Sequence, residues 1–138
     1  MRKKKSLNVV WHKAPDIKRK VVNLKKNLDL DWVNTSKIFC FRSTNSQSRA
    51  YARIWGLAKI WQLAFDSSPY YIIEVLAEKF DHLSDNEKDK VLLHEIAHIP
   101  KNFSGSLLPH IRRRGKRNFH SRVEDLVSQY LRISKIKQ

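Results

Sequence analysis

The sequence predicts an α+β fold: a short, mostly antiparallel sheet packed on one central helix, with further helices toward the N- and C-terminal ends. Three observations carry this. Short runs rich in β-branched and aromatic residues crowd the first half, at 38–42, 52–57, 59–65 and 70–75. Two capping boxes, Ser84-x-x-Glu87 and Ser121-x-x-Glu124, each stand before apolar residues at helical spacing. The length of 138 residues is that of one domain and can bury a core without disulfides.

Taken in order, residues 1–26 carry ten Lys/Arg against one acid, Asp16. They read as a mobile, basic N-terminal arm of about a dozen residues followed by a helix. Pro15-Asp16 opens that helix, and Ile17, Val21, Val22 and Leu24 form its apolar side. Residues 27–138 are expected to form a single domain, with 27–36 as a connector. Ile38 to Arg42 reads as the first strand and 43–50 as a polar loop. Ala52 to Leu57 and Lys59 to Phe65 suit two strands joined at Gly56-Leu57-Ala58, although a helix fits the same stretch. Asp66-Ser67-Ser68-Pro69 is a turn, and Tyr70 to Val75 is a further strand. The helix opened by Ser84 is expected to run to about Ile99, where Pro100 stops it. Residues 100–121 read as a long irregular segment, and Ser121 as the N-cap of a last helix with Val123, Leu126, Val127 and Leu131 inside.

The formal net charge is +15, far beyond what solubility needs. It points to a polyanionic partner, nucleic acid such as DNA first and an anionic membrane surface second. The densest run is Arg112, Arg113, Arg114, Lys116 and Arg117, with Arg122 close by, and these are the expected nucleic-acid contacts. Phe119 and the tryptophans could stack on single-stranded bases. No apolar run approaches the roughly 20 residues that span a bilayer. The basic residues at the start are followed by Asn8, His12 and Asp16 rather than an apolar stretch, so a cytoplasmic protein is expected. Cys40, the one cysteine, reads as a small buried apolar residue.

His94-Glu95-Ile96-Ala97-His98 is an H-E-x-x-H pattern inside the capped helix. Positions i and i+4 lie one turn apart on one helix face, so two imidazoles there can reach one metal ion. Glu95, roughly 100° round the helix, can act on a water without ligating the metal. The expected cofactor is Zn2+, with Glu95 as general base. A catalytic zinc takes three protein ligands and one open position. A third histidine six residues on is excluded, because that position is Ser104. A carboxylate ligand on the next helix would be Glu124 or Asp125. The reading favours His110 as third ligand, with His120 as the alternative. Tyr130 or one of Arg112 to Arg114 could stabilise an oxyanion.

The segment His94-Glu95-Ile96-Ala97-His98-Ile99-Pro100-Lys101-x-Phe103-Ser104-Gly105-x-Leu107-x-Pro109-His110 resembles the metallopeptidases found in archaea, their viruses and phages. Phe41-Arg42-Ser43, Ser48-Arg49-Ala50, Ala52-Arg53-Ile54-Trp55-Gly56-Leu57 and Tyr71-Ile72-Ile73-Glu74-Val75 are similar too, so the resemblance spans about residues 38–131. It implies a zincin-like domain distantly similar to SprT and Wss1 proteases, which act on proteins cross-linked to DNA. The expected activity is hydrolysis of peptide bonds in nucleic-acid-associated proteins. The rival reading is a basic DNA-binding module whose metal site is structural or degenerate.

Overall fold

Four strands pair in the order 10–13, 38–44, 71–76, 52–56, so the strand last in sequence lies inside the sheet. The structure is a computed structural model that describes residues 8–110 and 119–136. Its elements are β1 (Val10–Lys13), α1 (Pro15–Asn27), β2 (Ile38–Thr44), β3 (Ala52–Gly56), α2 (Lys59–Phe65), β4 (Tyr71–Leu76), α3 (Ala77–Phe80), α4 (Asp85–Ile96) and α5 (Phe119–Ile136). The central pair β2 and β4 is parallel, with Cys40 opposite Ile73, while β1 and β3 are antiparallel edge strands. The α+β class is as the sequence predicts. No helix among the described residues is long and apolar enough to cross a membrane.

Alternation along the strands gives the sheet two different faces. One face carries Ile38, Cys40, Ile73 and Val75 into a core shared with Ile17, Val21 and Leu24 of α1 and with Leu92, Leu93 and Ile96 of α4. Burial there pushes the Cys40 thiol up to about 11, as suits an inert apolar side chain. The other face carries Trp11, Phe41, Ile72, Trp55 and Glu74, and among the described residues no helix contributes to the pocket these five line. Helix α5 packs on α4.

The elements differ from the sequence reading in four places. Residues 10–13, expected in a mobile arm, pair with β2 from Val10 opposite Thr44 to Lys13 opposite Phe41. Lys59 to Phe65 is a helix, not a second strand. Its buried residue is Gln62, whose amide donates to the carbonyls of Leu57 and Ser104, both at 2.8 Å. Helix α4 stops at Ile96 rather than Ile99, where the chain tightens so that the His98 N–H bonds the Glu95 carbonyl and the Ile99 N–H that of Ile96. Helix α5 already includes Phe119 and His120, so Ser121 lies inside the helix and is not its cap.

Two features can be tested. Glu74 is fully buried on β4 and accepts from Arg53 and from the Trp55 indole N–H, each at 2.9 Å. Burial alone would raise its pKa, but the bonds from Arg53 and Trp55 outweigh burial and hold it below the ordinary value of 4.5. That stability is complete above the ordinary carboxylate range and is lost as pH falls through the depressed value. Arg53→Ala should therefore lower unfolding free energy by about 2 kcal/mol at neutral pH, less than for a fully buried pair because the Arg53 side chain is 33% exposed. In denaturant melts the gap from wild type should narrow as pH drops into the acid range; a constant gap would remove the charge explanation. Gly56 lies against the loop after α4, and a Cβ there would stand 2.2 Å from the Gly105 carbonyl oxygen. Gly56→Ala should cost roughly 1–3 kcal/mol by overpacking, and a melting temperature equal to wild type would show that the two backbones are not packed together.

Candidate metal centre

The centre begins at the capped start of α4, where Ser84 Oγ accepts the Glu87 N–H at 3.3 Å. The helix carries His94 in its last regular turn. His98 follows in a tighter turn, its N–H donating to the Glu95 carbonyl at 3.1 Å and the Ile99 N–H to that of Ile96 at 3.0 Å. Ending a helix this way leaves carbonyls without helical partners. Arg122 of α5 takes two of them, donating to Ala97 at 3.2 Å and Ile99 at 2.9 Å. The Leu108 N–H takes that of His98 at 2.7 Å. Arg122, grouped with the basic run by its charge, is here a helix-terminating side chain that also covers the Trp32 ring at 5.3 Å.

The loop after α4 reverses through Phe103 and Gly105, both with positive φ. It is tied to the sheet by Tyr71, whose hydroxyl donates to Ser106 O and accepts from the Gly105 N–H, both at 2.8 Å. The return brings His110 against the helix. His94 Nε2 and His110 Nε2 are 3.1 Å apart, and ligand atoms of His94, His98 and His110 all lie within 4.8 Å of one another. Nitrogens about 2.0–2.1 Å from a tetrahedral ion stand about 3.3 Å apart, so the His94–His110 separation suits one shared ion. The donor set, three imidazoles, suits a divalent transition metal.

His98 Nδ1 lies 2.6 Å from the Leu108 carbonyl. A carbonyl can only accept, so Nδ1 carries the proton and Nε2 keeps its lone pair free. Burial, then the neighbouring His98 and His110, push His94 down to about 4. Burial likewise lowers His98, against the opposing bond to Leu108. Both rings are therefore neutral at physiological pH, the form that ligates metal. Glu95 is buried, with Oε2 lacking a hydrogen-bond partner among the described residues, and desolvation pushes its carboxyl up to about 7.

Other residues singled out by sequence fall elsewhere. His120 lines the same cleft as His94 and His110 but lies outside the triad, paired at 2.8 Å with Glu124 on its own helix. Neither Glu124 nor Asp125 joins the three histidines. The Tyr130 hydroxyl is engaged by Asp89 at 2.8 Å and Asn86 at 2.9 Å, in the first half of α4 and away from the histidines. Phe119, read as a stacking surface for bases, is buried against the imidazoles, 4.0 Å from the His98 ring in a stacked arrangement. Arg112, Arg113, Arg114, Lys116 and Arg117 lie outside the described residues. Sequence reasoning missed Tyr71, Leu108, Arg122 and the role of Phe119. Each acts through a contact distant in sequence that leaves no local pattern.

Residues 9–133 match the family described as "putative phage metallopeptidase". No curated protein and no solved structure matches the chain. The family match embraces the whole sheet, α1 and α4, and the loop that carries His110, and by it the chain belongs to the phage metallopeptidase family.

Proposed function

We propose that the chain is a zinc peptidase in which His94, His98 and His110 hold the ion and Glu95 is the general base, acting on proteins associated with nucleic acid. One observation carries the reading. Three imidazoles that can offer lone pairs converge at the end of α4, beside a buried carboxylate with an unsatisfied oxygen. A buried carboxylate without partners is costly and is kept where a water or substrate group needs it.

Zinc bound at such a site supplies Lewis acidity, polarising a peptide carbonyl and lowering the pKa of a water. The chain's own residues do the rest. Leu108 fixes the His98 tautomer and ring. Phe119 packs its ring against all three imidazoles and closes one side of the cluster. Glu95, whose burial raises its proton affinity toward neutrality, takes the proton of the attacking water and returns it to the leaving amine. The charge of +15 supports substrates held near a polyanion. A purely structural zinc would use four protein ligands, and the cluster offers three among the described residues, which favours the enzyme over a binding module.

Metal-stripped protein should take up one zinc per chain. His110→Ala should weaken zinc binding at least about a hundredfold in chelator competition, and His120→Ala by less than about tenfold. Equal losses would remove His110 as the third ligand. Glu95→Gln should keep zinc and lower hydrolysis of an unfolded protein such as casein by roughly 10²–10⁴-fold; unchanged turnover would end its role as base.

A further inference from the structure

The open face of the sheet holds a second built surface, across the strands from the metal centre. Trp11 on β1 and Trp55 on β3 stand on the two edges, and Phe41 and Ile72 lie between them. Three strand spacings put the edge backbones about 14 Å apart. Trp11 is 54% exposed and Trp55 49%. Large aromatic surface left in water on this scale marks a binding site more often than chance.

The groove is held in shape. Glu74 at its floor receives the Trp55 indole N–H and the Arg53 guanidinium, each at 2.9 Å. Arg53 also lies 5.4 Å from the Trp55 ring centroid. A fully buried carboxylate adds little to stability that an apolar side chain could not supply. What it does here is fix a tryptophan and an arginine side by side at the surface. The acid's charge is answered by Arg53, so the groove does not repel anions. Lys13 is exposed on the same face, opposite Phe41. Farther along, Phe39 and Tyr70 stack at 5.6 Å with the Lys37 ammonium over Tyr70.

We infer that this face binds single-stranded nucleic acid, bases stacking on Trp11 and Trp55 and phosphates meeting Lys13 and Arg53. The inference rests on the nucleic-acid part of the proposed function and gives it a surface. Flat rings interleaved with cations match unstacked bases on a charged backbone. A duplex keeps its bases stacked inside and cannot offer them to the groove. The net charge of +15 supplies the long-range attraction.

The full chain is titrated with a fluorescein-labelled oligodeoxythymidylate about a dozen nucleotides long, at low salt, following anisotropy and tryptophan quenching. Trp11→Ala/Trp55→Ala should weaken binding at least about tenfold, from the stacking lost. Because Trp55 partners Glu74, a second variant, Trp11→Ala/Lys13→Ala, leaves that pair intact and should weaken binding with unchanged circular dichroism. A same-length duplex should bind more weakly to the wild type, and Glu95→Gln should bind the oligonucleotide normally. Wild-type affinity in both variants would overturn this face while leaving nucleic-acid association standing. No binding by the wild type would overturn both. A wild-type dimer that both variants dissolve, without oligonucleotide binding, would assign the groove to a second copy of the chain and overturn the inference.

Discussion

The arrangement around α4 depends on a reciprocal clamp between two residues. His98 gives its Nδ1 proton to the Leu108 carbonyl, and Leu108 returns its N–H to the His98 carbonyl. Each bond contributes about 1 kcal/mol net, but their geometric effect is larger. They tie the end of the helix to a backbone point two residues before His110, which leaves that ring little freedom to move away from His94. The same bond selects the His98 tautomer. The surrounding features serve this closure: Arg122 takes the Ala97 and Ile99 carbonyls, and Tyr71 and Gln62 anchor the loop between helix end and His110.

The parts legible in sequence are those written in local chemistry. Ser84 with Glu87 at one end and Pro100 at the other define the span of α4 to within one turn, and the i, i+4 spacing puts His94 and His98 on one side of it. Pro15 opens α1 where expected. The parts that were not legible are held by distant partners. β1 is a four-residue strand in a lysine-rich segment, and its pairing with residues 41–44 decides its conformation. In α2, Trp61, Leu63 and Phe65 alternate as in a strand, yet all three are exposed, and the helix is selected by its buried residue, Gln62, reaching Ser104. That His110 rather than His120 joins His94 and His98 in one cluster follows from the path of a loop anchored by Tyr71, more than 30 residues upstream. Nothing beside either histidine encodes that path.

Two buried carboxylates show how differently the fold treats the same chemical group. Glu74 has Arg53 and Trp55 as partners and a lowered pKa; Glu95 keeps an oxygen unpartnered and is pushed up to about 7. Both are enclosed, so depth alone does not explain the contrast. Partnering does. A charge that is answered serves to hold its neighbours, as Glu74 holds Trp55. A carboxyl left unanswered retains proton affinity and hydrogen-bonding capacity for something that is not part of the chain. That division suits a proposed role in proton transfer for Glu95 and a positioning role for Glu74.

The sheet then separates two proposed activities by one layer. α1 and α4 cover one face, and the histidines lie at the end of α4; the tryptophan groove is on the other face. A strand bound in the groove would not enter the metal cleft, so both could be occupied together. A protein attached to that strand would be held within reach of the cleft. Tethering of this kind raises local substrate concentration to the millimolar range for short connections. An enzyme with weak intrinsic affinity for polypeptide could thus act selectively on proteins bound to nucleic acid, with selectivity residing in the groove and chemistry in the cleft.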